Sequence, residues 1–191
     1  TNTTGHSNTA SGYQALYSNT TGAHGVASGY AALHSNTTGY ANVALGHMSL
    51  YNTTTGSYNI ALGYATMNAN ISGGHNIALG NGALAANTTS ASSVAIGHNA
   101  AGQTNTTVVA VGSGALGSNT TGTSNTAVGT GAPLGSNTTG AHNAAFGHAT
   151  LYNNTTGAGN TASGFEALKG NTTGGANTAT GYYSLFVNTV G

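Results

Sequence analysis

The sequence predicts an all-β fold, a β-solenoid (a β-roll or β-helix) with about one coil per 17 residues. Three observations carry that expectation. A unit recurs eleven times, certain residues stay locked in phase across the copies, and the middle copies hold a short alternation of large and small apolar residues closed by glycine.

The first unit runs from Asn2 to Ser18, N-T-T-G-H-S-N-T-A-S-G-Y-Q-A-L-Y-S, and new units start at Asn19, Asn36, Thr53, Asn70, Asn87, Thr104, Asn119, Asn137, Asn154 and Asn171. Residues 1–191 therefore read as a single repeat domain. The unit at Thr104 is two residues short, and the unit at Asn119 is one long, with Pro133 read as the insertion. The chain opens and stops inside the pattern, which is the expectation for a segment of a longer fibre.

Within the unit each part has its own signature. The opening N-T-T-G-x-x-N is turn chemistry, rich in Asn, Thr and Gly. Positions eight to ten then alternate, as in Ile60-Ala61-Leu62, Ile77-Ala78-Leu79 and Val94-Ala95-Ile96, and read as a short half-buried strand. Position nine is always Ala, from Ala10 to Ala179, and position eleven always Gly, from Gly12 to Gly181. Fixed Ala and Gly point to close backbone approach or a positive φ. Position fifteen is Leu except at Met67 and Ala101. A unit of this length is too short for two-helix repeats, and its glycine opposes helix. Stacked at ~4.8 Å per coil, the units would span roughly 50 Å. Position ten is Ser11 and Ser28 at one end and Ser163 and Thr180 at the other. Those outer coils are expected to bury little, so association with copies of the chain, end to end or as a trimer, is the expected remedy. Scarce Leu, Ile and Val with abundant Gly also fit a disordered linker, but a linker does not keep apolar residues in phase.

Composition narrows the function. Glu166 is the only acidic residue and Lys169 the only basic one, where soluble domains are usually about a quarter charged. Nucleic acid phosphates would find nothing to pair with. There is no cysteine, and no apolar run approaches the ~20 residues of a membrane helix. No enzyme activity is expected: one carboxylate cannot supply an acid–base pair, and no Asp exists to orient a Ser-His triad. Glu166 and Lys169, three residues apart, read as a weak solvated pair. No cofactor or metal is expected either. His47, His98 and His148 share position twelve but lie three units apart, roughly 14 Å by stacking, too far for one ion. They share that slot with Tyr13, Tyr30, Tyr64 and Tyr182, which predicts stacked rings.

Ser93-Val94-Ala95-Ile96-Gly97, with its variants at Asn59–Gly63 and Asn76–Gly80, resembles the head repeats of trimeric autotransporter adhesins. The N-T-A-x-G-Y-x-A-L runs resemble related repeats of phage and bacterial tail-fibre-like proteins. The resemblance covers essentially the whole chain and implies a β-roll or β-solenoid, three chains side by side, on a cell or virion surface. The longer period, with its added N-T-T-G loop, departs from the adhesin heads.

The most specific motif is N-x-[ST], an acceptor for N-linked sugar. It occurs at Asn2, Asn19, Asn36, Asn52, Asn70, Asn87, Asn105, Asn119, Asn137, Asn153, Asn154 and Asn171. Asn70-Ile71-Ser72 keeps an acceptor after losing both threonines, and at Asn52 and Asn105 the triplet moves one residue with its Asn. Glycans would hydrate a surface that lacks charge. The competing reading is an internal ladder of Asn amides from coil to coil, with Asn8, Asn42, Asn59 and Asn76 as candidates. The expected function is a structural extracellular or cell- or virion-surface fibre segment, glycan-coated and without membrane insertion. The alternatives are an adhesin head that binds a surface or matrix ligand, and an ice-binding solenoid built on flat Thr and Asn arrays.

Overall fold

The computed structural model describes residues 2–190; Thr1 and Gly191 lie outside them. It contains eleven short strands: β1 Thr9–Ser11, β2 Val26–Ser28, β3 Val43–Leu45, β4 Ile60–Leu62, β5 Ile77–Leu79, β6 Val94–Ile96, β7 Val108–Val111, β8 Asn125–Val128, β9 Ala144–Phe146, β10 Thr161–Ser163 and β11 Thr178–Thr180. They form one parallel sheet in sequential order. The invariant alanines pair along it, Ala10 with Ala27, Ala44 with Ala61 and Ala162 with Ala179. One repeat makes one coil of a β-solenoid, as the periodicity requires. The coil that carries β1 is coil 1, and so on.

Each strand ends at the invariant glycine, and from Gly12 to Gly164 no side chain fits there. Gly63 has φ 133°, and a Cβ on it would stand 2.8 Å from the carbonyl oxygen of Gly80 in the next coil. Both readings of the fixed glycine, close approach and positive φ, are therefore true at once. The chain then turns through left-handed residues at positions thirteen and fifteen, such as Gln14 (φ 56°) and Leu16 (φ 52°), then Ala31 (φ 52°) and Leu33 (φ 50°). A left-handed leucine costs ~1–2 kcal/mol. Full burial of its side chain returns ~1.5–3 kcal/mol, and Leu33, Leu50, Leu84 and Leu151 are all fully buried. The Leu33 amide also donates to the Ser49 carbonyl of the next coil at 3.0 Å. Burial and the axial hydrogen bond together hold the strained turn.

The faces of the strands are inverted relative to the sequence reading. From Ala27 to Ala179 the alanines point inward and are sealed, while Ala10 in the first coil is exposed; Ile60, Ile77, Ile96 and Phe146 at positions eight and ten are 38%, 37%, 39% and 44% exposed. The interior is a thin seam in which the Ala and Leu columns pack together, and Ala is the residue it admits from the strand. Hydroxyls at position ten thus lie outside and do not weaken the outer coils as expected.

The insertion in coil 8 also moves. Leu116 donates to the Pro133 carbonyl as Leu16 donates to that of Ala32, so Pro133 occupies the ordinary position fourteen. The extra residue stands before it, where Gly131 (φ 67°) and Ala132 (φ 54°) replace one left-handed residue by two.

Candidate functional site

The N-T-T-G turn is the most specific element of the sequence, and its geometry assigns a task to each residue. The position-one Asn faces inward. Asn36 Nδ2 donates to Asn19 Oδ1 of the preceding coil at 2.8 Å and to the Gly39 carbonyl of its own turn at 3.1 Å. Asn137, Asn154 and Asn171 repeat this toward Asn119, Asn137 and Asn154 at 2.7, 2.8 and 2.8 Å. Both amide hydrogens are thereby used.

A second ladder runs parallel to the first at position seven. Asn59 donates through Nδ2 to Asn42 Oδ1 at 3.1 Å and to the Gly73 carbonyl at 2.8 Å, and its backbone amide also bonds Asn42 Oδ1. Asn76, Asn143, Asn160 and Asn177 do likewise. Of the ladder expected for Asn8, Asn42, Asn59 and Asn76, the last three are present; Asn8 stands apart, because Gly25 holds the next rung and meets Asn8 Oδ1 only through its backbone amide at 2.8 Å. The acceptor asparagines form a ladder of their own.

The first threonine is equally committed. Thr20 N, Thr21 N and Gly22 N all donate to the Thr37 carbonyl at 3.0, 3.0 and 3.1 Å, and Thr20 Oγ1 adds a fourth bond at 2.9 Å. Three consecutive amides make a small anion-like nest, filled by the next coil. Glycine recurs at position four because a Cβ on Gly22 would meet Asn19 Oδ1 and the Gly39 carbonyl at 2.5 Å; Ser90 stands there in coil 6, next to the shortened coil 7. The second threonine differs. Thr4, Thr21, Thr38, Thr55 and Ser72 are exposed, and among the described residues their hydroxyls make no hydrogen bond.

This geometry corrects most of the glycan acceptors. Asn19, Asn36, Asn70, Asn87, Asn119, Asn137, Asn154 and Asn171 are at most 2% exposed. A sugar on any of them would replace an Nδ2 hydrogen that holds two coils together, inside a sealed interior. In the folded chain these eight are ladder rungs. Asn2, Asn52, Asn105 and Asn153 are exposed. Asn52 Nδ2 bonds the Asn68 carbonyl at 2.8 Å. Asn105 has an unexpected part: its Oδ1 accepts from the amides of Thr88, Thr89 and Ser90 at 2.9, 3.0 and 3.3 Å. In the shortened coil 7 a side-chain carbonyl fills the nest that a main-chain carbonyl fills elsewhere. The shifted triplets, read as a sign of glycosylation, mark places where Thr53 and Thr104 replace a rung.

The rings form columns along the axis. Tyr13, Tyr30, His47 and Tyr64 stack at centroid separations of 5.4, 4.9 and 5.1 Å, and His34 stacks between Tyr17 and Tyr51 at 5.3 and 4.9 Å. Histidine serves there as an aromatic rung. Among the described residues no three His, Asp or Glu side chains gather as a metal site would require. The chain's two charges bond each other, Lys169 Nζ to Glu166 Oε1 at 2.8 Å. The Glu166 side chain is only 12% exposed, so the pair is less solvated than the sequence suggested, and Lys169 lies 5.9 Å over the Phe186 ring. A cavity of about 240 Å³ opens at the first coil, between Asn2, Asn8, Ala10, Ala15, Leu16 and Asn19; it is the uncovered end of the seam. Compared with known proteins, the chain matches no family model, no curated protein and no solved structure.

Proposed function

We propose that this chain is a structural fibre segment, a stiff rod that presents a surface and performs no chemistry. One observation carries the reading: apart from the second threonine, the residues that recur in nearly every unit are accounted for by stacking. Ala and Leu fill the seam, Gly permits coil-to-coil approach, and Asn and the first Thr bond the neighbouring coil. Among the described residues the recurring polar groups left over are the second-threonine hydroxyls, which repeat once per coil along the axis and do not converge on one point.

The rod has a built-in polarity. Position-thirteen amides donate toward the preceding coil, Ala31 to Tyr13, while position-fifteen amides donate toward the following one, Leu16 to Ala32. One end face therefore offers the partners that the other end face lacks, which favours end-to-end continuation. Hydration of the uncharged rod falls to the second-threonine column, and to covalent sugar on those hydroxyls and on exposed Asn52, Asn105 and Asn153. A surface or extracellular setting follows from that chemistry.

Electron microscopy and fibre diffraction of the purified chain test the reading. The expected result is rods of constant width with a meridional reflection near ~4.8 Å. Isolated particles one chain long at every concentration would overturn it. Intact mass before and after release of N-linked and of O-linked sugar tests the coat, and a bare chain of 18.4 kDa would remove it.

A further inference from the structure

Two histidine rings touch at one place among the described residues. His6 of coil 1 and His24 of coil 2 stand with ring centroids 5.0 Å apart and planes at 86°. The sequence hides the pair, because His6 occupies position five and His24 position six. Left-handed His24 (φ 58°) nevertheless lays its ring against His6, and its amide donates to the His6 carbonyl at 3.1 Å. The three-coil spacing that separates His47, His98 and His148 does not apply to neighbours in successive coils.

We infer that His6 and His24 together bind one divalent transition-metal ion of the Zn²⁺ or Cu²⁺ class, in an open site completed by water. The separation of the rings carries the argument. With a ring nitrogen of each ~2.1 Å from the ion, two imidazoles on one tetrahedral or square-planar ion hold their centroids ~4.5–5.2 Å apart. The fold already holds these rings at that separation. Both are exposed, so rotation about the side-chain bonds turns a nitrogen of each toward a shared ion. Among the described residues one hydrogen bond engages the pair, between His6 Nδ1 and Ser7 Oγ at 3.3 Å. It leaves His6 Nε2 and both nitrogens of His24 available. Imidazole suits zinc and copper, whereas calcium and magnesium take oxygen ligands. No cationic side chain stands nearby to repel the ion, since Lys169, the only basic residue, lies in coil 10 and is bonded to Glu166.

The ion has a structural use at this place. Gly25 stands where coil 3 has Asn42, so the position-seven ladder lacks a side-chain rung between coils 1 and 2. All three residues of β1 are exposed. An ion shared by His6 and His24, beside Asn8 and Gly25 in their respective coils, clamps coil 1 to coil 2 next to the missing rung. The three protein ligands of a resident centre are absent, so the ion is exchangeable and the clamp follows its concentration.

The site lies within one chain, so it stands or falls independently of the fibre reading. Calorimetric titration of the full chain with zinc chloride and with copper chloride near neutral pH tests it. One ion per chain should bind, and His6→Ala or His24→Ala should each weaken that binding at least tenfold. His98→Ala, which removes an exposed imidazole outside the pair, should leave it unchanged. All three substitutions are at exposed side chains, and far-ultraviolet circular dichroism checks the fold. No saturable binding of either ion at millimolar concentration, an equal loss in His98→Ala, or a His24→Ala chain that binds as the parent does would overturn the inference. Hydrogen exchange gives a readout that lone histidines do not move. The Thr9 amide, bonded to the Gly25 carbonyl at 2.8 Å, and the His24 amide join the two coils. With ion at one hundred times its dissociation constant, exchange at both should slow by up to ~100-fold, because opening coil 1 releases the ion. The Ser124 amide, bonded to the Thr107 carbonyl, should keep its rate. Unchanged exchange at Thr9 and His24 under saturating ion would sink the clamp.

Discussion

Coils 3 to 5 and coils 6 to 8 solve the same problem with different chemistry. In coils 3 to 5 the position-seven ladder is continuous, Asn42 to Asn59 to Asn76, each rung bonding backbone and side chain of its neighbour. In coils 6 to 8 the ladder stops. Ser93 takes the next rung, accepting from the Val108 amide at 3.3 Å and donating to the Thr106 carbonyl at 3.2 Å. Val108 follows, 2% exposed and apolar, and Asn125 starts a new ladder. Coil 7 also gives up a position-one Asn for Thr104 and recruits Asn105 Oδ1 as a surrogate carbonyl. What the fold demands is that each donor meet an acceptor at each step, and residue identity is free wherever another group delivers the same atom.

Steric demands should not differ between the two regions, and they carry the largest effect. Gly63→Ala in coil 4 and Gly112→Ala in coil 7 both force a Cβ into the carbonyl of the next coil at φ 133° and 131°. Each should destabilise by more than ~3 kcal/mol, as clash and left-handed strain add. Thermal or denaturant unfolding measures both. A loss under ~1 kcal/mol at Gly112 alone would mean that the irregular region is loose.

Hydrogen-bond demands should differ. Asn59→Val strips one rung from a continuous ladder, removing the Oδ1 that accepts from the buried Asn76 backbone amide and from Asn76 Nδ2, and should cost ~2–4 kcal/mol. The reverse exchange, Val108→Asn, should not restore the ladder and should cost ~1–3 kcal/mol, the penalty of a buried amide short of a partner. The acceptor that a new amide would seek, the Gly122 carbonyl, is already held by Thr106 Oγ1 and Asn119 Nδ2 at 2.8 and 2.9 Å. Asn59→Asp adds a pH signature. A buried carboxyl without a cationic partner has a folded pKa above the ~3.9 of the unfolded chain, so the folded form binds more protons. Stability should be greatest in acid and fall as pH rises from about 3.9 through the folded pKa. A pH-independent deficit would show that the lost donor, not the charge, sets the cost.

A smaller contrast separates the two displaced asparagines. Asn105→Ala removes the acceptor of three amides. Because the site is exposed, water takes part of the load and the cost should be ~1–2 kcal/mol. Asn52→Ala loses one exposed bond to the Asn68 carbonyl and should cost under ~0.5 kcal/mol. Amide exchange at Thr88, Thr89 and Ser90 reads the first change directly; if those amides exchange no faster in Asn105→Ala, the surrogate-carbonyl role is wrong.

The two regions also show what the sequence made legible. Period, coil count and strand positions follow from phase-locked Ala, Gly and Leu, because stacking repeats the same packing every 17 residues. The buried face was not legible. Ile-Ala-Leu alternates identically whichever side faces in, and only the narrowness of the seam decides for Ala. Nor was the left-handed conformation of Leu16 or Leu33, since leucine is a poor left-handed residue and nothing local announces it. The asparagines misled for a related reason. N-T-T in a polar turn reads as exposed, yet parallel stacking places each Asn directly over the last, where paired amides outweigh hydration. A position-one Asn that gives way to Thr while an exposed Asn appears beside it, as at Asn52-Thr53, is the signal that a ladder had been broken.

Those breaks supply the smallest prediction. Asn36 Oδ1 and Asn87 Oδ1 are the buried side-chain atoms without a hydrogen-bond partner among the described residues. Each sits one coil before a rung where Thr53 or Thr104 stands in place of Asn. The polarity of the ladder explains the orphans. Every rung donates backward through Nδ2 and accepts forward through Oδ1, as Asn87 does to Asn70 Oδ1 at 3.1 Å. Thr53 Oγ1 accepts from Asn70 Nδ2 at 3.2 Å, so the forward step survives. Its hydroxyl does not bond back to Asn36 Oδ1, and the backward step is lost. Thr53→Asn restores a donor there while keeping an acceptor for Asn70, and its second hydrogen has the Gly56 carbonyl, the partner that Gly39 offers Asn36. The gain should be ~1 kcal/mol, the net worth of one satisfied buried acceptor. Thr104→Asn should give less, because Thr104 Oγ1 already bonds Thr106 Oγ1 and Asn119 Nδ2 at 2.9 Å each, and both must rearrange. Denaturant midpoints of the two variants decide the matter. Stabilisation by Thr53→Asn but not by Thr104→Asn supports two kinds of break, one a simple vacancy in a regular ladder and the other a rebuilt junction; stabilisation by Thr104→Asn but not by Thr53→Asn would reverse that assignment.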